Sequence, residues 1–214
     1  MKITLPIYKT KLPVSDKIVE FTPLVVRDEK NIAAAKETGE NKDGYNTLLR
    51  IIEEKAKVQT SKLSETDIIH LILEFRKKSI GEAFKTVFIC PHSNEKITLD
   101  INCVDISLSG KQKKIQIKID DIIINMEIPT SFEDPTSGIE SIETIDEKIN
   151  FSMLSTEERI ELTENLPINT KNKIKLAIND LYHYKYMLNY VSGGIERKMR
   201  ISSAEDFFTL FFAM

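Results

Sequence analysis

The sequence has no tryptophan, two cysteines, and only seven glycines and seven prolines in 214 residues. Each scarcity excludes a class. Cys90 and Cys103 are too few for a disulfide scaffold. With so little Gly and Pro the chain is neither collagen-like nor a low-complexity linker. No run approaches the roughly 18 apolar residues a membrane helix needs, so no membrane span is expected. The opening Met1-Lys2-Ile3-Thr4-Leu5-Pro6 lacks the apolar stretch of a signal peptide, and a reducing cytosol is the expected compartment. Thirty basic side chains against 33 acidic ones leave a net charge of −3. That balance lacks the positive excess that drives general nucleic-acid binding. What the chain does have is 41% hydrophobic and 29% charged residues, enough for one large or two small cores.

The hydrophobic pattern divides the chain. Ile3 to Tyr8 and Lys17 to Thr22 read as a hairpin across Pro13-Val14-Ser15-Asp16. A helix is expected from Arg27, with Gly39 as its stop and a polar loop from Glu40 to Gly44. Tyr45, Leu48, Leu49, Ile52 and Ala56 recur at helical spacing. Ser64 with Asp67 then signals the cap of a helix carrying Ile68, Leu71, Ile72 and Phe75. From Gly81 the pattern alternates: Phe84 to Cys90 and Glu95 to Ile106 form one expected hairpin. Ile115, Ile117 and Ile119 with Ile122, Ile124, Met126 and Ile128 form a second.

Ser131 to Lys148 is acid-rich, with Glu133, Asp134, Glu140, Glu143, Asp146 and Glu147, and reads as a linker or a loosely held helix. Helices are expected after Ser155 and after Asn169 or Thr170, then a hairpin around Ser192-Gly193-Gly194. The segregation of helix and strand runs gives an α+β fold. Its parts are an N-terminal β-hairpin with helices, a central antiparallel sheet, and a small C-terminal part of helices and a hairpin. The expected domains are residues 1–130, an acidic linker 131–150, and residues 151–214.

No strong catalytic motif is present: no Gly-rich phosphate loop, no G-x-S-x-G, no H-E-x-x-H. Cys90, His92 and Cys103 fail the paired-knuckle spacing of zinc, and Cys103 continues the apolar face of Ile97, Leu99 and Ile101. No metal and no cofactor is expected. His70 and His183 lack partners at catalytic spacing and read as structural. Lys111, Lys113 and Lys114 form the most basic run, but no aromatic interleaves for base stacking. The C-terminal Phe207, Phe208, Leu210, Phe211 and Phe212 stand apart, holding four of the chain's ten phenylalanines. A helix apolar on nearly every face can close its own core with one face and meet a partner with another, and these five are the candidate partner-contact residues.

Several short motifs, in order along most of the chain, resemble the baseplate hub subunits and hub-assembly proteins of T-even-type contractile-tailed phages. They begin with Leu5-Pro6-Ile7-Tyr8-Lys9-Thr10-Lys11-Leu12-Pro13, the strand Lys17 to Phe21, Thr22-Pro23-Leu24 and Arg27-Asp28-Glu29-Lys30. They continue with Phe75-Arg76-Lys77-Lys78-Ser79-Ile80-Gly81-Glu82, the Cys90 turn, Ile128-Pro129-Thr130 and Asp206-Phe207-Phe208. The family often carries cysteine pairs at its hairpin turns; here Cys90 keeps one position and Ser192-Gly193-Gly194 has none. The resemblance implies a non-enzymatic protein of hub assembly with other phage tail or baseplate proteins as partners. It places the chain in the host cytoplasm during assembly, with two outcomes open: it stays in the virion tail baseplate, or it only promotes assembly. Two other classes stay open: a small nucleic-acid-binding adaptor using Lys111 to Lys114, and an enzyme whose dispersed site gathers His70, His92 or His183 with a carboxylate.

Overall fold

A computed structural model describes residues 4–38, 41–132 and 134–212. The expected strand start at Ile3, the helix stop at Gly39, Glu40, Glu133, Ala213 and Met214 lie outside the described residues. Among the described residues the chain forms eleven strands and six α-helices, all strand pairs of its sheets that are resolved in register being antiparallel. The α+β class holds. The chain divides into two compact units, Met1–Ser107 with Tyr184–Met214, and Leu108–His183. These boundaries differ from the expected ones: the second unit is an insertion that begins within the sheet region.

In the first unit, β1 (Tyr8–Lys11) pairs with β2 (Ile18–Phe21). Three helices follow, α1 (Val26–Thr38), α2 (Asn41–Ala56) and α3 (Glu65–Ser79). Asn41 to Gly44 was expected as loop and is the first turn of α2. Gly44 allows this, because a Cβ there would stand 2.4 Å from Lys36 Cγ and 3.0 Å from Phe208 Cζ. At the start of α3 the Ser64 hydroxyl accepts from the Asp67 N–H at 3.2 Å. The Asp67 carboxylate, instead of returning to the cap, accepts from the Val14 and Ser15 N–H groups at 2.9 and 3.1 Å. The cap residue thereby ties the β1–β2 turn to α3. Next come the hairpin β3 (Ala83–Ile89) and β4 (Lys96–Asn102), and a short strand β5 (Ser107–Ser109) that leads out of the unit. β4 stops before Ile106 because Cys103–Asp105 form a 3-10 turn, whose Val104 N–H donates to the Asn102 side chain.

The second unit is built on β6 (Lys114–Ile119), β7 (Ile122–Glu127), β8 (Ile139–Glu143) and β9 (Lys148–Asn150), hydrogen-bonded in that order. The segment expected as an acidic linker therefore supplies half of a sheet. Ile139 and Ile142 are buried against Ile117, Ile119, Ile124 and Met126, while Glu140 and Glu143 of the same strand keep part of their surface in solvent. Helices α4 (Thr156–Glu164) and α5 (Ile168–Ala177) follow. α4 opens on Ser155 with a reciprocal Glu158 cap, and α5 begins after Pro167 rather than at Asn169 or Thr170. Ile174 seats α5 on the sheet core. The chain then returns through β10 (His183–Ser192), paired with β11 (Ile195–Ile201), and ends on α6 (Ala204–Phe211).

Candidate interaction surfaces

α6 is held at its start by a reciprocal cap. The Ser203 hydroxyl accepts from the Asp206 N–H at 3.1 Å, and the Asp206 carboxylate accepts from the Ser203 N–H at 3.2 Å. The Ala204 N–H donates to the Glu65 carboxylate of α3 at 2.7 Å. Phe211 meets Phe84 of β3 edge-on at 5.4 Å, and Phe208 meets Tyr45 of α2 at 5.8 Å. Phe207, Phe208, Leu210, Phe211 and Phe212 are all buried, none more than 6% exposed, and the outward positions are Glu205 and Thr209. Of the two roles open to this helix, core closure and partner contact, the packing serves the first: α2, α3 and β3 surround it, and all five side chains belong to the core of the first unit.

The tips of two hairpins meet in the same unit. The Cys90 sulfur lies 3.8 Å from the Tyr190 hydroxyl. Ser93 and Ser192 hydroxyls bond each other, and the Glu95 carboxylate accepts from the Ser192 hydroxyl and the Gly193 N–H, each at 2.8 Å. Burial by itself raises the Cys90 pKa. The Ser192 and Ser93 hydroxyls and the His92 and Ser93 N–H groups outweigh it and bring the thiol down to about 6. Cys103 is buried within the apolar cluster, and burial raises its pKa. Among the described residues no group of three or more His, Cys, Asp or Glu is arranged to hold a metal.

The histidines are dispersed. His70 is bonded to Thr10 at 2.7 Å through Nε2 and to the Tyr184 hydroxyl at 2.8 Å through Nδ1, linking β1, α3 and β10. Burial lowers its pKa and raises that of Tyr184 to about 12. His183 lies in the second unit and donates from Nδ1 to the Leu181 carbonyl at 2.8 Å. His92 is exposed on a hairpin tip.

One open cleft, of about 850 Å³, lies on the solvent face of the second unit's sheet. The register aligns Gln116 with Asn125, Asn125 with Ser141 and Ser141 with Asn150, a polar row across four strands. The Gln116 amide donates to Asn125 at 3.0 Å, and Asn125 donates to Ser141 at 3.0 Å and to Glu143 at 2.9 Å. Around the row Lys114 pairs with Glu140 and Glu127, and Lys148 with Glu143. Of the basic run, Lys114 thus has its charge met by acids, and Lys111 donates its N–H to the Asp180 carbonyl at 2.9 Å.

The family model for the T4 bacteriophage base plate protein matches residues 5–209, nearly the whole chain and parts of both units. The chain belongs to that family. Comparison with curated proteins and with solved structures gives no match. Membership makes this a phage baseplate protein, with the tail baseplate as its place and other baseplate proteins as its partners. No helix among the described residues is long and apolar enough to cross a membrane.

In this baseplate protein the polar row was missed from sequence. Its signal was present for two strands, as Gln116 and Asn125 on the polar side of the alternation, and hidden for Ser141 and Asn150 by the surrounding acids. The bulge between Asn125 and Met126 also breaks the pairing that would have placed Glu140.

Proposed function

We propose that this baseplate protein is a subunit or assembly factor of the baseplate hub that works by protein–protein contact and without catalysis, joining its partners in the host cytoplasm during assembly. The observation that carries this reading is the family match over residues 5–209. The second unit adds support: its outward sheet face is a broad polar surface of amides, hydroxyls and neutralised charges. Such a surface suits a specific, water-tolerant contact better than a deep small-molecule site. The C-terminal helix serves this role indirectly, by fixing the shape of the first unit.

The test is genetic and structural. A phage with a nonsense codon in this gene is expected to yield tails that lack a complete hub, and the chain supplied in trans restores them. Normal tails in the absence of the chain would refute the reading.

A further inference from the structure

The first unit holds a second groove, of about 750 Å³, between the N-terminal hairpin and the segment that follows α2. Four consecutive hairpin residues line it, Lys17 to Glu20, while β1 contributes none. Side chains of a strand alternate between faces, so four in succession can line one groove only if the strand's edge forms its wall. Among the described residues no strand pairs with that edge, since the β1–β2 sheet has two strands.

The register decides which backbone groups are turned outward. The Leu12 N–H donates to the Lys17 carbonyl at 2.9 Å, and Lys11 is aligned with Ile18 and Thr10 with Val19. Hydrogen-bonded and non-hydrogen-bonded pairs alternate along an antiparallel ladder. Lys17 and Val19 therefore point their amides and carbonyls to β1, and Ile18 and Glu20 point theirs to the groove. Across from them α2 ends at Ala56, and Lys57 takes a positive φ of 53° that turns the chain away.

The groove has an apolar floor and a basic rim. Leu12, Val19, Ala56 and Leu63 are buried at its base, and Ile18 on its lip is 71% exposed. Lys17, Lys57 and Lys62 stand on the rim, exposed and without an ion-pair partner among the described residues. The acid of the groove, Glu20, is already paired with Lys9 at 2.7 Å. A protein with a net charge of −3 thus gathers three lysines around one unpaired strand edge, with Glu20 of the groove wall acting on Lys57 at longer range.

We infer that β2 and its three lysines receive an extended acidic segment of a partner protein, which adds to the hairpin as a third strand. Main-chain bonds to Ile18 and Glu20 supply the affinity, and alternate side chains reach the apolar floor while acidic ones meet the lysines. This rests on the reading that the protein works by protein contact, and it names one such contact and its chemistry.

The test titrates the full-length chain with a labelled decapeptide of alternating Glu and Val, and with its Lys/Val counterpart. The expected result is binding of the acidic peptide only, weakening as salt rises. The charge-reversed variant Lys17→Glu/Lys57→Glu/Lys62→Glu, whose substitutions are all on exposed side chains, is expected to lose at least tenfold in affinity with unchanged circular dichroism. Ile18→Pro, which removes an outward N–H and no bond to β1, weakens binding at neutral net-charge cost. Hydrogen exchange at the Ile18 and Glu20 amides slows when the peptide is present. Equal binding of both peptides, unchanged affinity in the charge-reversed variant, protection located elsewhere, or protection that grows with protein concentration alone would overturn the proposal, the last by making a second copy the occupant. Purification from infected cells separates this from the hub reading. Baseplate proteins recovered equally with wild type and the charge-reversed variant sink the groove and keep the hub. Their absence from both sinks the hub, while the peptide result stands on its own.

Discussion

The two units spend their apolar residues differently. In the first, the core is aromatic and drawn from distant parts of the chain: the Phe21 and Phe75 rings meet tilted at 4.6 Å, and α6 with its C-cap residue Phe212 adds four more phenylalanines. In the second, the core is aliphatic and local, with isoleucines of β6, β7 and β8 on one face of a sheet and a single phenylalanine, Phe151. The first unit therefore depends on its last residues, whereas the second closes within Leu108–His183. What this teaches is that a strongly apolar terminus can be used up in closing the core of its own unit.

Removing residues from Asp206 onward is the harshest way to break this contrast. It takes five buried side chains from the first unit, and each buried Phe→Ala alone costs about 3–5 kcal/mol against a typical total stability of about 5–15 kcal/mol. Hydrogen exchange is expected to show the first unit unprotected and the second still protected; uniform loss would mean that the units do not fold separately. Paired point variants come next. Phe208→Ala should cost about 3–5 kcal/mol and Ile142→Ala about 2–5 kcal/mol, each visible in the amides of its own unit.

A smaller effect is expected at Gly110, which has φ +85° and where a Cβ would fall 2.0 Å from the Leu181 carbonyl oxygen. Gly110→Ala should destabilise the second unit by about 1–3 kcal/mol, measured by denaturant unfolding followed at that unit's amides. The smallest effect is one of pH and belongs to the first unit. Burial lowers the His70 pKa below its ordinary 6.5. The unfolded chain then takes up a proton that the fold does not, so stability is full above about 6.5 and is lost as pH falls from there toward the folded value. Unfolding midpoints of His70→Gln should flatten in this range, and an unchanged slope would assign the dependence to another group.

Legibility in the sequence followed the length scale of each feature. The helices carrying Leu48, Ile52, Leu71 and Phe75 and the alternating isoleucines of β6 and β7 announce themselves because their period is local. The acidic stretch after Pro129 did not, since its exposed acids dominate a composition in which only Ile139 and Ile142 reveal the buried face. The inserted second unit was hidden for a different reason. The bond from Ala204 to Glu65 spans 139 positions, and nothing local at either end marks it. The terminal helix posed a third case, because an all-round apolar pattern states that every face wants cover without saying whether the same chain supplies it. The candidate surfaces were the least legible, since the polar row and the Lys17–Lys57–Lys62 rim exist only once strand register and a turn have brought them together.

The central claim is that this chain enters the baseplate hub through protein contacts, and affinity purification of the tagged full-length protein from phage-infected cells tests it most directly. Mass spectrometry is expected to find baseplate hub proteins in fixed proportion to the bait, lost when the contact surfaces are altered and the fold is not. Recovery of the folded bait alone, or with nucleic acid in place of tail proteins, would contradict it.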